Sequence, residues 1–296
     1  MSGLHIECFH RVLPESEQEN QWPYFARGTA MTVGAFDARL AELGRKYNFV
    51  DERGALDWLS GKGDDRPVCW ITFDDGYCDN LEHAAPVAAA HGVRPTLFVT
   101  TCALGGDWWP PVDEWYAVLR AAALDSFLVR DGDDAEELDL TSDAGRYAAV
   151  TGTLKTAYMK APAAERRVRL ANLRAALGVE RGASKPAFLS RSQLCELASM
   201  GWFVGPHGHE HQLLTALDEA AACEEIQRSV DALRTLLLEN DSAWIAYSDG
   251  RYDERLIGAI ERRFQANGYV GGLTIDGRAA SRHDDPWAMP RFIGRG

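Results

Sequence analysis

Long apolar runs are missing from this sequence: no stretch approaches the ~20 residues that a membrane-crossing helix needs. A basic surplus is missing too. Lys and Arg total 31 against 44 Asp and Glu, a formal net charge of -13, which argues against a nucleic-acid partner and mildly disfavours a polyanionic substrate at long range. There is no C-x-x-C pair among the six cysteines, Cys8, Cys69, Cys78, Cys102, Cys195 and Cys223. Several sit in apolar or helical runs, so they read as reduced, small apolar residues of a cytoplasmic protein. Met1-Ser2-Gly3-Leu4-His5 carries neither a basic nor an apolar region of the secretory type, and no signal peptide is expected. Internal repeats and low-complexity tracts are absent as well.

What is present is a chain of 296 residues, 46% hydrophobic, enough to fill one α/β barrel or two smaller domains. Residues 4–11 alternate like a strand, with His10 near its end. Residues 12–30 read as a polar loop. Thr32 caps an expected helix over 33–47, and a short helix near 56–59 follows. A strand at 68–73, a helix carrying Leu81, Ala84, Val87 and Ala90 and stopped by Gly92, and a strand at 96–100 make a parallel βαβ unit. Residues 103–188 break this rhythm. Helices are expected at 112–123, 144–160 and 163–177, with a polar loop at 131–137, and the block reads as a helical insertion or lid, or as an ordinary packing subdomain. Ser190 and Gln193 have the form of a capping box for a helix through Met200. Strands at 202–204, 243–247 and 269–274 then alternate with helices at 217–239 and 253–267, before a closing segment at 285–292.

Two stretches carry chemistry. Val68-Cys69-Trp70-Ile71-Thr72-Phe73 is an apolar run that stops at Asp74-Asp75-Gly76, like a buried strand ending at the rim of a sheet or barrel. Neighbours on a strand face opposite ways, but a turn at Gly76 lets both carboxylates aim at one mouth. So close together they repel; a cation on one removes the penalty and leaves the other as a general base. An Asp-Asp-Gly turn in water is the plainer reading, and the apolar lead-in weighs against it. Gly205-Pro206-His207-Gly208-His209-Glu210-His211 follows a second apolar run. Its glycines and proline exclude a regular helix, so the loop must wrap to bring two rings to one ion. His207 with His211, or either with His209, would serve; the plainer reading is three partly exposed loop histidines.

T-F-D-D-G-Y at 72–77 together with G-x-H-x-x-x-H at 205–211 resembles the polysaccharide deacetylase family, the NodB-homology domain of carbohydrate esterase family 4. The opening F-H-R-V at 9–12 is similar to the first strand of its circularly permuted members. D-N-L-E-H-A-A-P-V after the aspartates, I-A-Y-S-D-G-R-Y-D at 245–253 and D-P-W-A-M-P-R at 285–291 resemble its later segments. The resemblance implies an α/β fold, a distorted (β/α) barrel of about seven strands with its site at the C-terminal rim. It implies a single domain over 1–296, with the helical insertion at about 103–188. It also implies a divalent metal, typically Zn2+, held by Asp75, His207 and His211, with Asp74 as general base and His10 as general acid. His209 is then a loop residue.

The sequence departs from the family at its third motif. Ala246-Tyr247-Ser248 lacks the usual proline and the arginine that orients the base; Arg291, or Arg251, would replace it. Gln212 stands where proline is common. Tyr247, Ser248 and Asp249 are candidate substrate contacts, and Trp108 is a candidate sugar-stacking wall. Trp109, Trp115 and Tyr116 suit that role or the insertion's core. The expected activity is metal-dependent removal of an N-acetyl group from an amino sugar: a nucleotide sugar, a lipid-linked sugar or an oligosaccharide. The partner is then a carbohydrate, with no nucleic acid and no membrane span, and a homo-oligomer is left open. The alternatives are hydrolysis of another C–N bond, formamide or allantoinase-like, and a degenerate barrel that binds carbohydrate without turnover.

Overall fold

The structure is a computed structural model that describes residues 3–62, 66–106, 108–122, 125–131, 134–179, 188–236 and 241–295. Strand β1 (Leu4–Phe9) and the short β2 (Arg11–Leu13) lead to α1 (Trp22–Arg27), β3 (Ala30–Thr32), α2 (Val33–Lys46), β4 (Asn48–Val50) and α3 (Glu52–Leu59). Strand β5 (Val68–Asp75), α4 (Ala85–Ala90) and β6 (Thr96–Val99) form the expected βαβ unit. Next come α5 (Pro111–Arg120), β7 (Ser126–Asp131), β8 (Asp134–Asp139), α6 (Asp143–Thr151), α7 (Thr153–Lys160), α8 (Ala163–Ala176) and α9 (Arg191–Ser199). The chain ends with β9 (Phe203–Pro206), α10 (Glu219–Arg234), β10 (Trp244–Ala246), α11 (Glu254–Phe264), β11 (Gly271–Leu273) and β12 (Phe292–Ile293).

Parallel pairing runs in the order β12-β1-β5-β6-β9, with β4 also on β5, and β10 pairs parallel with β11. Single bridges, Val204 to Asp241 and Leu273 to Met289, lead from β9 toward β10 and from β11 toward β12. The seven strands β1, β5, β6, β9, β10, β11 and β12 follow one another as in a (β/α) barrel, although the described pairings do not close it.

Side-chain alternation builds two layers from each strand. Leu4, Ile6, Trp70, Phe98, Trp244, Ala246 and Leu273 pack inside the barrel. Phe9, Ile71, Phe73, Leu97, Val99 and Val204 pack outward under the helices. Because the strands are parallel, their C-terminal ends gather at one rim. The helix caps also follow the sequence: Thr32 accepts from the Ala35 amide, and Ser190 with Gln193 closes a full capping box.

Three expectations are corrected. Residues 12–30 are not a loop: β2 pairs with β3, and α1, with Pro23 in its first turn, buries Tyr24 against the insertion. Its six residues are too few for a periodic signal, and docking holds them. The stretch at 131–137 is not a loop either, since β7 and β8 form an antiparallel hairpin, with residues 132–133 outside the described set. Leu138 is buried in the insertion core while its neighbour Glu137 faces water, so an acidic stretch that reads as solvated supplies a strand. The helix expected over 144–160 is two helices, α6 and α7, because extended Gly152 ends one and begins the other. The ends of the helices expected at 112–123 and 217–239 include residues 123 and 237–239, which lie outside the described set.

Candidate active site

Asp74, the next-to-last residue of β5, lies on the interior face shared with Trp70 and Thr72. Alternation alone would send Asp75 outward. Instead Asp75 takes a left-handed backbone conformation, φ 77°, followed by Gly76 at φ 90°, and its carboxylate turns into the mouth. Among the described residues only Asp75, His211 and Asp249 combine a side chain with positive φ, and all three line the same cleft. Such conformations cost of order 1 kcal/mol or more each and persist where the surroundings enforce them.

Asp75, His207 and His211 converge. Asp75 Oδ1 lies 3.3 Å from His211 Nε2 and 3.5 Å from His207 Nε2, and all three side chains are buried. His207 Nδ1 donates to the Ala246 carbonyl at 2.9 Å, which leaves its Nε2 lone pair turned to the cluster. Asp75 Oδ1 and His211 Nδ1 make no hydrogen bond among the described residues, although buried. One oxygen and two imidazole nitrogens, close together with an orphaned carboxylate oxygen between them, fit a borderline divalent cation such as zinc. The tripod is held from behind. Glu225 of α10 is buried, and its Oε1 accepts the Glu210 amide at 2.5 Å and the Gln212 amide at 3.4 Å. His209 turns away from this cluster, toward Thr101 and Cys102.

Asp74 is gripped by Arg291 from the segment before β12. The guanidinium donates from one nitrogen to Oδ1 at 2.8 Å and from another to Oδ2 at 2.7 Å, and it also reaches the Thr72 hydroxyl and the Thr274 carbonyl. Arg291 is 0% exposed, so the pair lies in the interior and is not a solvent-screened surface salt bridge. Burial alone would raise the Asp74 carboxyl; Arg291, then His207, outweigh it and hold it well below the usual range. Asp75 is also lowered against its burial, by His211 first. The burial of His207 lowers its imidazole, whereas for His211 the Asp75 carboxylate outweighs burial and pushes it up to about 9.

His10 follows β1 and lines the cleft, and a ring nitrogen lies within 4.8 Å of Asp74 and Cys8 ligand atoms. Its Nδ1 has no hydrogen-bond partner among the described residues; it is the main-chain carbonyl of His10 that is bound, by Asn80.

The other candidates separate. Asp249 lines the cleft. Ser248 is buried beneath it, donating to the His207 carbonyl at 3.3 Å. Tyr247 is corrected: alternation along β10 puts Ala246 inside and Tyr247 outside, where it is buried in the helix layer and donates to the Trp287 carbonyl at 2.7 Å. Trp108 is also corrected, because it is half-buried and forms no part of the cleft wall. The aromatic wall is Tyr24, Tyr77 and Tyr116. Of the insertion aromatics, Trp115 packs at a tilt against Tyr158 in the core.

Sequence reasoning missed several members of the cleft. Asp113 accepts both the Tyr24 hydroxyl, at 2.5 Å, and the Tyr77 hydroxyl, at 2.9 Å, and burial pushes its carboxyl up to about 7. Arg11 pairs with Asp79 at 2.9 Å beneath the rings of Tyr24 and Tyr77. Cys8 donates to Asp74 Oδ2 at 3.3 Å. Arg27 and Lys155 also line the cleft. For Cys8 a signal existed, since it shares the interior parity of Leu4 and Ile6; Asp113, Arg27 and Lys155 sit on helices whose docking no local pattern reveals.

A family model described as polysaccharide deacetylase matches residues 133–263. The family match is polysaccharide deacetylase. The deacetylase match takes in His207 and His211 and leaves Asp74 and Asp75 outside; folding joins the two. No curated protein matches the chain in sequence. Solved structures do match in fold. A Streptococcus pyogenes deacetylase, PplD, in complex with acetate superposes with a TM-score of 0.61 at 18% identity, over 99% of this chain and 92% of that one. IcaB from Ammonifex degensii gives 0.60 at 18%, over 99% and 92%. The BpsB deacetylase domain from Bordetella bronchiseptica gives 0.53 at 14%, over 98% and 95%. At these identities the likeness carries the α/β barrel architecture.

Proposed function

We propose that this protein hydrolyses the N-acetyl group of an amino sugar with the help of a divalent cation held by Asp75, His207 and His211. The observation that carries the reading is the buried tripod standing beside an arginine-clamped carboxylate at the C-terminal rim. When bound, the cation would supply Lewis acidity and make water more acidic at neutral pH. The rest belongs to the chain. Asp74, kept ionised and oriented by Arg291, takes a proton from the attacking water. Oxygen bonds to the acyl carbon, the C–N bond breaks, and His10 as imidazolium gives its proton to the departing amine. The products are acetate and a free amino sugar. Tyr24, Tyr77 and Tyr116 form the aromatic part of the wall that the sugar would meet.

The reading extends to localisation: a cytoplasmic enzyme acting on a sugar made inside the cell. The degenerate-barrel alternative is disfavoured by the complete donor set and the paired base.

The test is metal analysis of the purified protein together with acetate and formate release from a panel of N-acylated amino sugars. One equivalent of divalent metal and acetate release support the reading. Formate release without acetate would move the activity to another C–N bond. A metal-free protein that gains neither metal nor turnover on adding zinc would falsify it.

A further inference from the structure

Lys155 sits on α7 in the insertion, yet its side chain forms part of the wall of the same cleft as the histidines and aspartates. It is 7% exposed and forms no hydrogen bond or ion pair with any described residue. A buried ammonium without a partner is unfavourable, and most buried lysines are paired. Arg27, at the C-terminal end of α1, lines the cleft beside it and likewise makes no ion pair among the described residues. Arg251, an exposed residue next to the rim, adds a third positive charge felt by Lys155.

The negative groups of the cleft are otherwise engaged. Asp74 is neutralised by Arg291, and Asp75 faces two histidines. Asp249 alone is left to oppose the three cations, and no ion pair joins it to them among the described residues. The surplus is therefore local and positive, in a chain whose net charge is -13. Long-range fields do not explain it; a ligand seated in the cleft would.

Building on the deacetylase reading, we infer that the substrate carries an acidic group, a carboxylate or a phosphoryl, which Lys155 and Arg27 bind while the N-acyl group faces Asp74. A neutral sugar would leave the two cations with hydroxyl partners only. An acidic one would satisfy their charge in a site where water is scarce. Lys155 comes from the insertion and Arg27 from α1, which packs against the insertion, while the tripod comes from the ends of the barrel strands and the loops after them. The insertion is then what selects the substrate.

The experiment compares three substrate classes on the zinc-loaded enzyme: a neutral N-acetylated oligosaccharide, an N-acetylhexosamine phosphate, and an N-acetylated sugar carrying a carboxylate. In the native enzyme kcat/KM is expected to be at least tenfold higher for one of the acidic classes, and which class wins identifies the group. In Lys155→Met the ratio of acidic to neutral kcat/KM falls tenfold or more, whereas Lys155→Arg keeps most of it. Arg27→Met, at a half-buried position, lowers the ratio in the same direction. Equal or better turnover of the neutral class by the native enzyme overturns the inference and leaves the deacetylase reading intact. If no class releases acetate, the deacetylase reading fails. Calorimetry of a hexosamine phosphate on the metal-free protein then judges the cationic subsite by itself. Binding lost in Arg27→Met and Lys155→Met supports it, and binding that is absent, or unaltered by both, overturns it.

Discussion

Arg291 makes two hydrogen bonds to Asp74 and is wholly buried with it. Replacing it by Met leaves an uncompensated interior carboxylate, and such a break typically costs about 3–5 kcal/mol. We expect Arg291→Met to unfold at clearly lower urea concentration than the native protein; Arg291→Lys should recover charge but not the two-pronged grip, and so only part of the stability and rate. Asp74→Asn should lower turnover by about two to four orders of magnitude while zinc content, measured by emission spectroscopy, is retained. Retained turnover would remove Asp74 from its role. A third residue reports on the fold alone. Glu52 is buried on α3, accepts the Ala243 amide, and is pushed by burial up to about 7. Its folded value is above its unfolded one, so its share of stability is full below about pH 4.5 and is lost as pH rises through 7. Chemical denaturation of the native protein and Glu52→Gln at pH 5 and pH 8 should show the native protein losing a few kcal/mol relative to the variant on going to pH 8.

At the scale of elements, β5, β9 and β10 deliver the chemistry by ending together. The histidine loop after β9 has no helix of its own to fix it; α10 does so through Glu225 and the amides of Glu210 and Gln212. Glu225→Gln turns a charge-assisted acceptor into a weaker one, and we expect zinc affinity to fall about tenfold or more, read by competition with a chelator. An unchanged affinity would mean that the loop is held by its own turns. The elements also show what local pattern can reveal. Strand β5 was legible because a run buried on both faces ends abruptly in two carboxylates, and α2 and α9 because their caps are written in Thr32 and in Ser190 with Gln193. Helix α1 and strand β8 were not. Six residues make too short a period, and D-A-E-E-L-D has the composition of a solvated turn; tertiary packing, through Tyr24 and Leu138, outweighs both preferences.

For the whole molecule, metal binding and folding are linked. A cation that binds only the folded chain at a hundred times its Kd adds about 2.7 kcal/mol, which for a domain of this size is a rise in Tm of several degrees. Zinc should therefore raise the unfolding temperature, a chelator should reverse it, and His207→Ala should abolish the response; a response that survives in His207→Ala would place the ion elsewhere.

The sequence by itself determined which residues are able to ligate and which are able to transfer protons, because residue type and an abrupt polar end to an apolar strand are local facts. It also determined the α/β order, since period and capping are written within one turn of the chain. Only the tertiary structure decided that Arg291, more than two hundred residues away, grips Asp74, that Tyr247 faces outward, and that Lys155 enters the cleft. Those depend on strand register and on the docking of an insertion, and contacts between distant segments leave no periodic trace in either one.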